Sequence, residues 1–438
     1  MEDRPRRRRG TGRRRRLDPA TARAQLLAAG IELATEKPLG ETLGHLRVND
    51  IARDAGLTSG AFYHYWDGQE AYRTAVLETA LAGLRADAEV DLLAPRPDDG
   101  GGPAAVIDAV ARRAAAALTQ DPRHRLELTL WTHDDPRLRP RLAQRWADAE
   151  QAHAHAVGRC LAHAGRAPGR GWTLATLGTA AAGLTDGLRT TSLIDDGVLA
   201  DRRGWSTPGL LALLLLLGAS EEGPPAPVPE PPRPEPTADD GPAGERRRRL
   251  VDLGVAAALE RPTGDAFGHL RAEEVARRLG LTIGAFYHYW ERQDDYRDDL
   301  VDALFAADLY VDPTAVADEL RRVVGTSDLD TALRDATHRY WSVAAGNPDN
   351  RIQFAVHTLD DPYIGPRRAA WNASLRAGWD ALLDDLLARC GRRLRAPLTT
   401  DLVVLGMSVS LDGLVVRHDL HPDGLEPDAE GWTLWGRL

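Results

Sequence analysis

Residues 56–66 read GLTSGAFYHYW and residues 280–290 read GLTIGAFYHYW, so eleven positions recur 224 residues later with one difference, Ser59 against Ile283. The repeat extends outward on both sides. Gly44-His45-Leu46-Arg47 returns as Gly268-His269-Leu270-Arg271, and Gln69 and Tyr72 return as Gln293 and Tyr296. Stacked solenoid repeats have periods of about 20–50 residues, so a period this long marks a duplicated domain. A chain of 438 residues also exceeds what one hydrophobic core serves. Two similar units in tandem are expected.

Helix punctuation surrounds each copy. Asp18-Pro19 caps a first helix, in which Leu26, Leu27, Gly30, Ile31, Leu33 and Ala34 recur with a period near 3.6. Residues 48–55 predict a short second helix, stopped by Gly56 in the position of a C′ glycine. Thr58 then caps a helix over 59–65, and Asp67-Gly68 leads into a longer amphipathic helix from about residue 69 to 88. Strand-like alternation is nearly absent, so the expected fold class is all-α.

The expected organisation is an Arg-rich arm at 1–16, a first helix-turn-helix domain at 17–90 and a first helical regulatory domain at 103–220. A Pro-rich acidic linker at 221–244 follows, then a second helix-turn-helix domain at 245–308 and a second helical domain at 312–438. Weaker echoes at an offset of 226 support the duplication of the C-terminal parts. These are Asp121-Pro122 with Asn347-Pro348, Asp134-Asp135-Pro136 with Asp360-Asp361-Pro362, and Asp186-Gly187-Leu188 with Asp412-Gly413-Leu414. The Asp/Asn-Pro pairs read as N-caps followed by proline, and so as structural.

Ile51-Ala52-Arg53-Asp54-Ala55-Gly56-Leu57-Thr58 with Phe62-Tyr63-His64-Tyr65-Trp66 resembles the signature of the tetracycline-repressor (TetR) family of transcriptional regulators. The second copy, from Val275 to Thr282 and from Phe286 to Trp290, resembles it nearly as closely. The resemblance covers residues 18–80 and 245–305. It implies that the second short helix of each copy enters a DNA major groove, with Thr58, Ser59, Gly60, Tyr63 and His64, and Thr282, Ile283, Gly284, Tyr287 and His288, at the DNA. It also implies that Phe62, Trp66, Phe286 and Trp290 pack inward. Where the family often carries a phosphate-contacting lysine, this chain has Gln69 and Gln293, which hydrogen-bond phosphate without releasing a counterion.

The net charge of −10 argues against indiscriminate coating of nucleic acid, but local basic blocks exist. Residues 4–16 hold nine arginines, ending in Arg13, Arg14, Arg15 and Arg16. A second block, Arg246 to Arg249, opens the second copy, and Arg246 and Arg247 join the candidate DNA contacts. Asp294, Asp295, Asp298 and Asp299 oppose DNA beside the second motif. Cys160 and Cys390 are the only cysteines, which excludes a disulfide framework or cysteine-rich zinc site and suits a reducing cytoplasm. No secretion signal is read at the N-terminus, and the most apolar run, 210–217, is far short of the roughly 20 residues that cross a bilayer.

The resemblance further implies that each C-terminal domain dimerises and holds a small effector. Candidate pocket liners are Trp131, His133, Trp172, Trp341, Phe354, His357, Trp371 and Trp379, all residue types equally at home in a core. His153 and His155, two apart, fall on different helix faces, so no metal site is expected, nor any cofactor. No nucleophile elbow, HExxH or phosphate loop is present, so an enzyme is not expected.

Because one chain carries two reading heads, the expected assembly is an intrachain pseudo-dimer, with helices near 172–193 and 208–219 against those near 397–417. The second copy of the Leu-rich helix at 210–217 is expected to be curtailed at Leu438, and the bare face could also recruit another chain. The expected partners are double-stranded DNA and an unidentified effector, and the expected function is ligand-responsive repression at an imperfect inverted repeat. The alternative is a ligand-sensing or interaction module whose helix-turn-helix units are degenerate.

Overall fold

The computed structural model describes residues 47–54, 58–63, 65–82, 92–96, 98–99, 102–119, 122–133, 136–202, 205–224, 226–230, 271–278, 280, 282–306, 329–347, 350–359, 364–394 and 398–438. The expected Arg-rich arm, the first helix after Asp18, Gly56, His64, Arg246 and Arg247 lie outside them.

The described residues are mostly helical. The first head consists of α1 (Val48–Asp54), α2 (Ser59–Phe62) and α3 (Gln69–Ala82). The first body consists of α4 (Pro103–Thr119), α5 (Pro122–His133), α6 (Arg139–His163), α7 (Leu174–Ser192) and α8 (Thr207–Gly218). The second head is α9 (Ala272–Arg278), α10 (Ile283–Phe286) and α11 (Gln293–Ala306). The second body is α12 (Leu329–Ala345), α13 (Asn350–Thr358), α14 (Ile364–Arg389), α15 (Thr400–Leu420) and the single turn α16 (Leu434–Arg437). The bounds of all three head helices recur at the offset of 224, and those of α4 and α12 at 226. The second short helix of each head is shorter than expected, ending at Phe62 and Phe286 rather than running to the second tyrosine, because turns take over at Tyr63 and Tyr287.

Short strands β1 (Arg166–Pro168), β2 (Asp201–Arg202), β3 (Trp205–Ser206) and β4 (Ser220–Glu222) form two antiparallel pairs, β1 with β4 and β2 with β3. The first pair holds the start of the expected linker against the first body. Further along, Gln151 Nε2 donates to Glu230 O at 2.8 Å and His155 Nδ1 donates to Pro229 O at 2.8 Å. The described part of the Pro-rich stretch is therefore docked on α6.

Local chemistry fixes the two helices at the centre. Thr173 opens α7 with a capping box, its Oγ1 accepting from Thr176 N at 3.1 Å while Thr176 Oγ1 accepts from Thr173 N at 2.9 Å. Ser206 caps α8 through Gly209 N and is itself held by Asp108 Oδ1 at 2.7 Å. Helix α7 then crosses α15 at backbone contact distance. A Cβ on Gly187 would lie 1.6 Å from Val409 O, and one on Gly413 would lie 1.9 Å from Gly183 O. At the offset of 226, Gly187 matches Gly413 and Gly183 matches Val409, so each contact is the counterpart of the other. That reciprocity is the property of a two-fold, isologous interface, here formed within one chain. The hydrophobic core is continuous across it, joining Leu177, Leu188 and Leu211 to Val409, Leu414 and Trp435.

Candidate functional site

Each head is built on a triangle of rings. Phe62, Trp66 and Tyr72 are buried with centroids 4.9 to 5.0 Å apart, and Phe286, Trp290 and Tyr296 repeat the arrangement at 4.9 to 5.2 Å. Tyr72 and Tyr296 close the triangles from the third helix, which accounts for their recurrence in the sequence. Burial alone raises both phenols well above the ordinary range, so they stay neutral. The first triangle sits in a cluster with Leu126, Leu130, Leu138 and Leu142 of the first body and the segment leading into α6. The head is thereby clamped to the domain below it.

The same short helices turn one tyrosine outward. Tyr63 is 54% exposed and Tyr287 45%, while the neighbouring phenylalanines are fully buried. Thr282 Oγ1 accepts from Ala285 N at 3.2 Å and caps α10, and Gly280 ends the preceding helix with φ of 65°, a conformation that favours glycine. Thr58, Gly60, Gly284 and His288 are exposed. The one sequence difference has a structural consequence: Ser59 Oγ donates to Asn49 Oδ1 at 2.6 Å, whereas Ile283 presents an apolar side chain that is 43% exposed.

Gln69 and Gln293 are half-buried. Gln293 Oε1 accepts from Ala272 N at 3.2 Å, so its carbonyl caps α9. The acidic cluster is also partly engaged within the head. Asp295 pairs with Arg292 at 3.1 Å and accepts from its backbone, which holds the carboxyl below its ordinary range, and Trp290 Nε1 donates to Asp299.

An apolar cavity lies in the first body, among α4, α6, α7 and α8. It measures about 100 Å³ and is walled by residues such as Ile107, Val157, Leu184 and Leu211, with His153, Thr185 and Arg189 as its polar side. Burial pushes the Cys160 thiol on its wall up to about 11, so that group is an inert neutral liner. None of the tryptophans expected at a pocket lines this cavity. Trp131 instead donates from Nε1 to Asp419 Oδ2 at 2.9 Å across the two halves, and its ring meets Phe354 at 5.2 Å. Trp172 packs at the edge of the core, Trp341 is in it, Trp371 is half-buried, and the side chain of His133 is outside the described residues. His357 and Trp379 do line a second cavity, of about 40 Å³, in the other body.

Beside the first cavity lies a buried charge network that sequence reasoning missed. Trp146 Nε1 donates to Glu127 Oε1 at 2.6 Å, and Arg145 and Arg189 stand 3.9 and 4.0 Å from that carboxylate. Burial alone would raise Glu127, but Arg145, His124 and Arg189 outweigh it and hold the carboxyl down at about 2. His124 goes the other way: burial and Arg189 lower it, so it is neutral. Arg417, 1% exposed, reaches across from α15 to Asp186 at 2.5 Å and Glu150 at 2.8 Å, with its guanidinium 5.3 Å from the Trp146 ring centre. The only signal in the sequence was a charge directly after the apolar run Leu414-Val415-Val416, in the order Arg417-His418-Asp419. Among the described residues, no group of His, Cys, Asp and Glu is arranged to hold a metal, and no helix is long and apolar enough to cross a membrane.

Comparison with models of known protein families finds no match, and a search of curated proteins finds none either.

Proposed function

We propose that the chain is a sequence-specific DNA-binding transcriptional regulator, made of two TetR-like units fused in tandem and acting as a single-chain pseudo-dimer. The observation that carries the reading is the reciprocal crossing of α7 and α15, Gly187 on Val409 and Gly413 on Gly183. An isologous pairing gives two like heads a two-fold relation, and dimeric helix-turn-helix proteins read inverted repeats because the protein and the operator share that symmetry. The outward Tyr63 and Tyr287 are the groups assigned to DNA, as donors to phosphate or base edges. Ile283 in place of Ser59 adds an apolar contact suited to a thymine methyl, so the two half-sites differ.

The effector in this reading occupies the apolar cavity of the first body. Its wall includes α7, so a ligand there bears on the helix that sets the pairing of the halves. The engaged Gln293 and the carboxylates of α11 favour a second reading, in which the second head has lost DNA affinity and serves ligand sensing or protein interaction.

The test is selection of random duplex DNA by the purified full-length chain at near-physiological salt. Enrichment of an imperfect inverted repeat is expected. A single enriched half-site would mean that only one head reads, and no enrichment would overturn the assignment.

A further inference from the structure

The two-fold relation between the halves is broken at two charged positions of one niche. In the first body, Arg417 of α15 fills a niche made by Asp186, Glu150 and the backbone carbonyl of Trp146. At the offset of 226 the counterparts are Asp412 for Asp186, Arg376 for Glu150, Asn372 for Trp146 and Thr191 for Arg417. All four line the cavity of about 40 Å³ in the second body. The second niche thus keeps its aspartate but has Arg376 in place of the glutamate and a threonine where its partner has a guanidinium, and a cavity lies among these side chains.

We propose that this cavity is a binding site for a small organic cation, an alkylguanidinium or alkylammonium group, which takes the place Arg417 fills in the other half. Asp412 is the anionic partner, and the rings of Tyr340 and Trp379, set edge to face at 5.4 Å, supply an aromatic wall of the kind that attracts cations. The charges around the site leave room for a cation. Arg376 is committed to Asp195 at 3.1 Å. His357 is neutral, because burial and then Arg368 bring it down to about 3. Tyr340 is neutral as well, raised by burial and by Asp412. Without a cation, burial pushes the Asp412 carboxyl up to about 7, with Arg376 opposing only in part. The inference stands on the internal symmetry and holds whether or not the heads read DNA.

The probe is n-propylguanidinium, the arginine side chain cut free, with n-propylurea as its neutral isostere and propionate as an anion. Binding to the full-length chain is followed by ligand-observed NMR and by thermal shift. Saturable binding of propylguanidinium is expected, with propylurea and propionate at least about tenfold weaker, the factor that corresponds to loss of one modest charge interaction. Binding tightens from pH 6 to pH 8 as Asp412 ionises, since Arg376 keeps its charge and His357 and Tyr340 stay neutral over that range. Asp412→Asn, nearly isosteric, loses the preference for the cation. Thr191→Arg fills the cavity from within, abolishes binding and raises the Tm. Equal binding of propylurea, preferred binding of propionate, or unchanged binding to Asp412→Asn overturns the proposal, whatever Thr191→Arg does to folding. DNA affinity measured on the same samples keeps the two readings apart, because cation binding without DNA binding removes only the regulator.

Discussion

Four residues of Phe62-Tyr63-His64-Tyr65-Trp66 are described, and three of them show the division of labour within a head: Phe62 and Trp66 carry the fold, while Tyr63 is left at the surface. Replacing Tyr63 and Tyr287 together with alanine is expected to abolish specific DNA binding with little change in Tm, measured by fluorescence anisotropy and calorimetry. Phe62→Ala is expected to cost about 3–5 kcal/mol, as large-to-small changes at fully buried rings do. If the double tyrosine variant bound DNA with native affinity, the assigned interface would be wrong. The buried Glu127 and the half-buried Asp412 should leave opposite marks on the pH dependence of stability. Glu127 is depressed in the folded chain from 4.5 to about 2, so its contribution is present above 4.5 and fades as pH falls from there toward 2. Asp412 is raised from 3.8 to about 7, so its contribution is present at low pH and is lost as pH rises from about 4 to 7. Relative to the native chain, Asp412→Asn should therefore gain Tm between pH 5 and pH 8. Glu127→Gln should lose less against the native chain at pH 3 than at pH 7. Parallel Tm curves for either pair would contradict the burial argument.

At the scale of elements, the sign of a substitution tests the α7–α15 crossing. Alanine is a better helix former than glycine by about 1 kcal/mol, so Gly→Ala in an uncrowded helix stabilises. Gly218, the exposed last residue of α8, has no neighbouring atom within 4 Å of where a Cβ would stand, and Gly218→Ala should raise the Tm slightly. Gly187→Ala puts its methyl 1.6 Å from Val409 O and should destabilise by about 1–3 kcal/mol as the helices are forced apart. Helical periodicity and the recurrence of Asp-Gly-Leu at 186 and 412 made the all-helical class and the duplication readable. The reason for those glycines was not readable, because a close crossing depends on where two distant helices meet. The aromatic triangles were half legible: the four-residue spacing of Phe62 and Trp66 pointed inward, but Tyr72 lies on another helix. Of the expected pocket liners, His357 and Trp379 line the cavity of the second body, whereas the walls of the first cavity are mostly Val, Leu, Ile and Ala, residue types that the sequence does not distinguish from core. The buried charges were invisible because Glu127, Arg189 and Arg417 have the composition of a solvated face, and only the three-dimensional pairing of α5, α7 and α15 withdraws them from water.

For the molecule as a whole, the continuous core joins the two bodies, and the first head packs on the body below it, so the heads are expected not to orient independently as they would on a flexible tether. That stiffness has a measurable consequence. When two sites are presented at a fixed separation, the second binding event is intramolecular, and its benefit is lost if geometry forbids simultaneous contact. On an operator that matches both heads, one chain should occupy one inverted repeat. Light scattering should then give the mass of the duplex plus a single 47.7 kDa chain. A complex with two chains would show that the functional dimer forms between molecules, and a free chain of twice that mass would exclude a purely monomeric pseudo-dimer. Inserting about 5 base pairs between the half-sites turns the second one to the opposite face of the helix, roughly half of a 10.5 base-pair turn. A rigid pair of heads cannot follow that rotation. Affinity should fall to that of an isolated half-site, and the Tyr287→Ala variant, which keeps only the first head, should show no further loss on the inserted operator. Equal affinity for the native and inserted operators would mean that the halves swing freely and that the α7–α15 crossing does not set the spacing of the heads.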